Sequence, residues 1–138
     1  MDLGIESFLL CSTVSAILSQ RLVRRLCVSC REPLELEPSA LSCLGITLPA
    51  QGRTRVWRAR GCKECRRTGY QGRTGVFELL PVDHRIRSLI IKRSSSAQIR
   101  QSAMANGMQS LTHAAWEKVR TGVTSLEELF RILPPESH

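Results

Sequence analysis

The sequence predicts an α+β fold, and three observations along its 138 residues carry that expectation. A helical apolar pattern followed by a strand opens the chain. Two Cys-x-x-Cys pairs then frame a stretch punctuated by Pro33, Pro38, Gly45 and Pro49. Four short helical patterns follow Pro81.

A chain of this size makes one ordinary domain or two small ones. Apolar residues make up 42% of it and aromatics only 4%, so a core has to be built from Leu, Ile, Val and Ala. No apolar run approaches the ~20 residues that span a bilayer. Asp2 and Glu6 stand where a secretory signal would carry basic residues, so a cytosolic location is the expectation. The net charge of +8 is carried almost wholly by Arg, with Lys only at Lys63, Lys92 and Lys118. Twelve Arg or Lys stand against four Glu between Arg21 and Arg73, which concentrates the excess around the cysteines. Such a surface attracts phosphates and acidic partners; a solvated basic face with no dedicated ligand is the plainer reading.

The spacing of Phe8, Leu9, Ser12, Ala16 and Ser19, beside Leu10, Val14, Ile17 and Leu18, predicts a helix over residues 5–19. Gln20 to Leu26 reads as a strand leading into the first cysteine pair. Residues 31–52 are expected to be irregular, with a short helix near Ser39 to Leu44 capped by Ser39. Arg55 to Arg60 alternates like a strand, and Thr74 to Leu80 predicts another that ends at Pro81.

Beyond Pro81, Asp83 can cap a helix reaching Lys92, with Ile86, Leu89 and Ile90 on one side. Ser95 or Ser96 can cap a second that stops near Asn106-Gly107. Ser110 opens a third carrying Leu111, Ala115, Trp116 and Val119, and Gly122 fits its C-terminal cap. Thr124 and Glu127 have the spacing of a capping box for the fourth. The four helices are expected to pack as a small bundle.

The cysteines carry the sharpest chemical signal. Cys27 and Cys30 form one pair, Cys62 and Cys65 the other, with 31 residues between the pairs. Each pair makes a tight turn that presents two thiolates, and Zn²⁺ takes four such ligands tetrahedrally at roughly 2.3 Å. A closed set of four leaves no open position for substrate, so the site is predicted to be structural. The insert between the pairs looks poor in core residues, which gives a metal clamp a purpose. Iron takes the same ligands. A redox pair would stand singly beside a thioredoxin-like pattern, which is not seen. Cys11 reads as a small buried residue on an apolar stripe, and Cys43 has no partner at ligand spacing.

No Gly-x-x-x-x-Gly-Lys-Ser/Thr loop occurs: the three lysines are followed by Glu64, Arg93 and Val119. His84, His113 and His138 stand apart from any nucleophile. The chain shows no catalytic constellation of its own.

Taken in order, several segments resemble the C-terminal part of the type II secretion and type IV pilus assembly ATPases. They are Leu3-Gly4-Ile5-Glu6-Ser7-Phe8-Leu9-Leu10, the run from Gln20 to Cys27, Gly61-Cys62-Lys63-Glu64-Cys65, the run Thr68 to Leu80, and Gly122-Val123-Thr124-Ser125-Leu126-Glu127-Glu128. Together they cover nearly the whole chain. A tetracysteine insert combined with Gly-Tyr-x-Gly-Arg-Thr-Gly-x-x-Glu is specific; either half alone would be only suggestive.

The resemblance implies a homo-hexameric, RecA-like motor that hydrolyses ATP with Mg²⁺. It implies work at the cytoplasmic side of the bacterial inner membrane, with a platform protein and cytoplasmic-domain components as partners. The four cysteines carry over as metal ligands, and Arg73, Thr74 and Gly75 match a segment near the nucleotide or the subunit junction. A plainer reading of that run is that Gly69, Gly72 and Gly75 permit a tight turn before a strand. The implied organisation is 1–26 as the end of a RecA-like core, 27–66 as the metal subdomain, 67–82 as a connecting strand region and 83–138 as a helical subdomain. The family's P-loop and acidic boxes would lie before residue 1, so a truncated or detached piece, inactive alone, is the expectation.

Two other functions compete. A zinc-ribbon module for nucleic acid would use the basic surplus, but single-strand binders present stacking aromatics, and only Trp57 and Tyr70 lie near the cysteines. No nucleic acid is therefore expected. An adaptor would use the same basic face to hold an acidic cytoplasmic domain.

Overall fold

The structure is a computed structural model that describes residues 6–50 and 53–133. Its elements run α1 (Ser7–Thr13), β1 (Ala16–Leu26), β2 (Glu32–Leu36), a 3₁₀ turn (Ser42–Leu44), β3 (Thr54–Arg58), β4 (Tyr70–Pro81), α2 (His84–Ile91), α3 (Ser96–Ala105), α4 (Leu111–Arg120) and α5 (Leu126–Ile132). Among the described residues β1 pairs with β4, and β2 pairs with β3. The α+β expectation is met, four C-terminal helices included.

The chain divides into two compact units. One comprises Met1–Ser19 and Phe77–Ser110, the other Gln20–Val76 and Leu111–His138. In the first unit, Val82, Ile86 and Ala103 form the buried centre, flanked by Val14, Leu80, Leu89, Ile90, Ile99 and Met108. Asp83 caps α2 by accepting from the N–H groups of Arg85 and Ile86. Ser95 caps α3 in a full capping box with Gln98, each side chain satisfying the other residue's backbone N–H.

In the second unit, Val23, Leu36, Leu41, Leu48, Val56 and Val76 pack with Ala115, Trp116, Val119, Leu129 and Ile132. The apolar face predicted for α4 is thus the face that is buried. The expected single bundle takes the form of two helix pairs, α2 with α3 in the first unit and α4 with α5 in the second.

Several local expectations are corrected. The opening helix stops at Thr13, and Ala16 to Ser19 belong to β1. Ile17 and Leu18 satisfy a helical stripe and an apolar strand equally, and the β-branched Ile17 favours the strand. Ile5, the expected helix start, lies outside the described residues, as does Gly52.

A strand was not foreseen at Glu32–Leu36, where Pro33 argued against one. In a two-stranded sheet each strand keeps an open edge, and that is where proline is tolerated. The pairing with β3 is antiparallel, with Pro33 opposite Trp57 and Leu34 opposite Val56. The stretch around Ser39 yields only the 3₁₀ turn at Ser42–Leu44, which has no side-chain cap. The insert is also not poor in core: Leu36, Leu41, Leu48 and Val56 are all buried. Their irregular spacing hides a contribution that only folding assembles.

The fourth helix is capped by Ser125, whose side chain accepts from the N–H of Glu128. Thr124 instead donates its hydroxyl to the carbonyl of Arg24 at 2.7 Å, and Glu127 accepts from the Tyr70 hydroxyl at 3.2 Å. Glycines 72 and 75 lie inside β4, so only Gly69 precedes the strand.

Gly122 ends α4 as predicted. Its N–H reaches the carbonyl of Val119 and that of Val123 reaches Lys118, the paired bonds of a Schellman ending. Its φ is +73°, and an added Cβ would stand 2.6 Å from Nη1 of Arg31 and 2.8 Å from Cε3 of Trp57. Gly122→Ala is therefore expected to cost about 2 kcal/mol or more, strain and clash together. Urea unfolding of both proteins measures it; equal midpoints would refute the close approach.

Candidate metal centre

Two turns build the site, both in the second unit. The first follows β1 directly: the carbonyl of Cys27 accepts from the N–H groups of Cys30 at 3.3 Å and Arg31 at 3.0 Å. The second lies between β3 and β4, where the carbonyl of Cys62 accepts from Arg67 at 2.7 Å and that of Lys63 from Arg66 at 3.1 Å. Closing it requires Arg66 and Arg67 to adopt φ of 53° and 62°, a left-handed conformation unusual for non-glycine residues. The two turns are tied together: Cys27 donates its N–H to the carbonyl of Gly69 at 2.9 Å. Ser29 of the first turn also hydrogen-bonds the Glu64 carboxylate of the second. Gly69 allows the close approach, because a Cβ there would lie 2.6 Å from that of Ala59.

The four sulfurs of Cys27, Cys30, Cys62 and Cys65 lie within 4.8 Å of one another. Three separations are 3.9 Å (Cys27 to Cys62), 3.8 Å (Cys30 to Cys65) and 3.7 Å (Cys62 to Cys65). A tetrahedral ion with metal–sulfur bonds of roughly 2.3 Å has sulfur–sulfur edges of about 3.8 Å. The donor set therefore fits a tetrahedral, thiophilic divalent ion. Cys27 and Cys65 are buried and Cys30 and Cys62 half-buried, which leaves little room for substrate to enter the ligand shell.

The thiols are already unequal. Hydrogen bonds from the N–H groups of Cys62 and Gly69, each 3.1 Å from Sγ, hold the Cys65 thiol down to about 6 against the opposing effect of burial. Burial and the neighbouring sulfurs push Cys30 up to about 12, against a backbone hydrogen bond from Gly61. Two backbone N–H donors thus favour the thiolate at Cys65, and an ion at the centre would favour deprotonation of all four. Cys11 is buried as expected, its Sγ 3.5 Å from the carbonyl of Arg87, and Cys43 is exposed.

The two aromatics near the cysteines are occupied. The Arg31 guanidinium lies 5.1 Å from the Trp57 ring centre, and that of Arg24 lies 4.0 Å from the Tyr70 ring. The Tyr70 hydroxyl bonds Ser125 at 2.7 Å, which joins the exit of the second turn to the start of α5. Arg73, Thr74 and Gly75 lie in the body of β4, Arg73 exposed and the other two half-buried.

A feature that sequence reasoning missed is the carboxylate of Glu128, which is fully buried. It accepts from the backbone N–H and side chain of Arg24 at 2.7 and 2.9 Å, and from Arg131 at 3.0 and 2.8 Å. On the sequence the capping-box spacing singles out Glu127, while Glu128 is an ordinary acidic residue of a first helical turn. Nothing short of the fold says which one turns inward.

A family model described as type II/IV secretion system protein matches residues 1–131. The chain belongs to the type II/IV secretion system protein family. Within this family it is similar to the Type II secretion system protein E of Pseudomonas aeruginosa, 43% identical over 136 residues, covering 99% of this chain and 26% of that protein. It is 34% identical over 137 residues to the Type IV pilus assembly ATPase PilB of Myxococcus xanthus, covering 99% of this chain and 24% of PilB. With the Type II secretion system ATPase E of Vibrio cholerae it shares 37% identity over 131 residues, or 95% of this chain and 25% of that protein. This member of the secretion family thus spans about a quarter of the length of these relatives. Among its described residues no helix is long and apolar enough to cross a membrane.

Proposed function

We propose that the chain is a metal-clamped C-terminal part of a motor ATPase that powers type II protein secretion or type IV pilus assembly. The observation that carries this reading is the family match over residues 1–131, which takes in the tetracysteine cluster. In this reading the parent motor is a homo-hexamer at the cytoplasmic face of the inner membrane, working on a membrane platform and its cytoplasmic-domain components. The chain's first residues close a RecA-like core, 27–66 form the metal subdomain, 67–82 connect, and 83–138 supply the C-terminal helices, α2 and α3 in one compact unit and α4 and α5 in the other.

The cluster holds Zn²⁺ through Cys27, Cys30, Cys62 and Cys65. Zinc supplies no chemistry of turnover there; it fixes two turns that have few side-chain contacts of their own. Residues 27–31 and 61–69 therefore stay in register with the end of β1 and the start of β4. Arg73, Thr74 and Gly75, a few residues beyond, are proposed to lie near the nucleotide or the subunit junction. Arg73 has the exposed guanidinium needed to meet a phosphate or an acidic neighbour.

The sequence carries no P-loop, so ATP and Mg²⁺ enter only with a complete motor. Purified chain is expected to hydrolyse no ATP above buffer, and turnover by pure material would overturn that. A chimera tests the larger reading: this chain replaces the matching part of the Pseudomonas aeruginosa relative. Restored hexamerisation and ATPase activity are expected. Arg73→Ala in the chimera should lower kcat/KM for ATP about tenfold or more with the metal content unchanged. A folded, hexameric, zinc-loaded chimera with no turnover would refute the functional equivalence.

A further inference from the structure

Among the described residues the second unit carries more cations than its ion pairs employ. Arg53 pairs with Glu35 and Glu37, Arg58 and Arg60 share Glu32, and Arg24 and Arg131 share Glu128. Arg25, Lys63, Arg66 and Arg67 take part in none of these pairs, and all four are exposed. Each lies within two residues of a cysteine whose sulfur belongs to the cluster. Because the sulfurs lie within 4.8 Å of one another and the Cys27 N–H bonds the Gly69 carbonyl, the backbone segments that carry these cations run close together. The acidic group among them is Glu64, already engaged by Ser29 across the two turns. In the first turn, between Cys27 and Cys30, Val28 is 73% exposed, a large apolar side chain open to solvent.

We propose that this rim is a docking face for an acidic polypeptide segment of another protein. Arg25, Lys63, Arg66 and Arg67 receive its carboxylates around an apolar contact at Val28. The arrangement, an apolar contact bordered by polar groups, is the anatomy of a protein interface in miniature. Three of the four cations are Arg, whose planar fork matches a carboxylate with two parallel hydrogen bonds. Guanidinium also fits phosphate, but the surroundings favour protein over nucleic acid. Single strands need open aromatic faces, and Trp57 and Tyr70 are covered by Arg31 and Arg24. An anionic membrane also attracts four cations, but the first turn offers a single valine for insertion, whereas the guanidinium forks find their paired acceptors in carboxylates. The metal suits the docking role: it holds the two turns rigid, so little ordering cost falls on binding. This inference does not rest on the chain's being part of an ATPase.

The test uses the whole zinc-loaded chain and three probes: a fluorescent peptide of alternating Glu, Asp and Leu, phosphatidylglycerol vesicles, and a single-stranded DNA 20-mer. Anisotropy and co-sedimentation are read at low and physiological salt. Peptide binding that weakens with salt is expected. It should be at least about tenfold weaker in Lys63→Gln/Arg66→Gln/Arg67→Gln, and unchanged in Arg87→Gln/Lys92→Gln/Arg93→Gln, which removes the same charge elsewhere. Val28→Asp touches no turn hydrogen bond and keeps the test decisive if the triple variant loses its metal; it should weaken the peptide by a similar factor. Equal losses in both triple variants would reduce the effect to net charge and overturn the proposal. So would binding of vesicles or DNA through the rim with no binding of the peptide.

Discussion

Withdrawing the ion, by chelation or by Cys62→Ser, is expected to release residues 27–31 and 61–69 while leaving the rest of the second unit folded but weakened. Apparent binding energies of structural zinc run to about 10–16 kcal/mol in small peptides, as large as the stability of a whole domain. Here the loss falls unevenly. The turns themselves bury Cys27, Cys65 and Gly69 and little apolar surface, so without the ion their backbone bonds face water. Leu36, Leu41, Leu48 and Val56 pack on Trp116, Val119 and Leu129, a core that does not pass through the sulfurs.

The observable is amide hydrogen exchange. Cys27, Arg67 and Gly69, which donate across or within the turns, should exchange at least about a thousandfold faster in the chelated chain. Val56 and Val119 should keep most of their protection, and the melting temperature should fall by about 10 °C or more. Elemental analysis should find one zinc per chain. A red protein with visible thiolate-to-metal absorption would assign iron. Stoichiometric removal with unchanged exchange at Cys27 and Gly69 would show that the ion holds nothing together.

Replacing Glu128 is the second large effect. Glu128→Ala removes a buried acceptor shared by two guanidinium groups and is expected to cost about 2–4 kcal/mol, discounted because both arginines are half-exposed. Glu128→Gln keeps the volume but not the charge and should lose somewhat less. The acid limb follows from the same contacts. Burial alone would raise the carboxyl, yet Arg131 and the backbone and side chain of Arg24 bring it from 4.5 down to about 2. A group depressed in the folded state adds stability above its unfolded pKa, and that stability is lost as pH falls through the folded one. The contribution, on the order of 3 kcal/mol at neutral pH, should fade between about pH 4.5 and 2. Urea unfolding at pH 7 and pH 3 checks this: the wild type's advantage over Glu128→Gln should shrink as the pH drops. A constant difference, or none at pH 7, would refute the network's role.

How much of this was legible in the sequence depended on the range of the interaction. Asp83, Ser95 and Gly122 act on backbone groups within a few residues, so their capping roles could be read directly. The cysteine pairs were legible for the same reason, since spacing within each turn already brings two of the four thiols together. Strands were harder. Ile17 and Leu18 carry no periodicity that separates helix from strand, and Pro33 looked like a breaker until β3 supplied one side of a two-stranded sheet. Thr124 and Glu127 had the spacing of a capping box, but Arg24 and Tyr70, far away in sequence, claimed both side chains.

The tetracysteine centre and the α+β class were thus determined by the sequence alone, because turns, caps and thiolate pairs are local chemistry. Tertiary structure decided which carboxylate is buried and which aromatics are covered. It also decided that the insert between the cysteine pairs belongs to the core. Those outcomes turn on residues as much as 104 positions apart, as Arg24 and Glu128 are, whose meeting is set by packing and the cost of leaving polar groups unpaired.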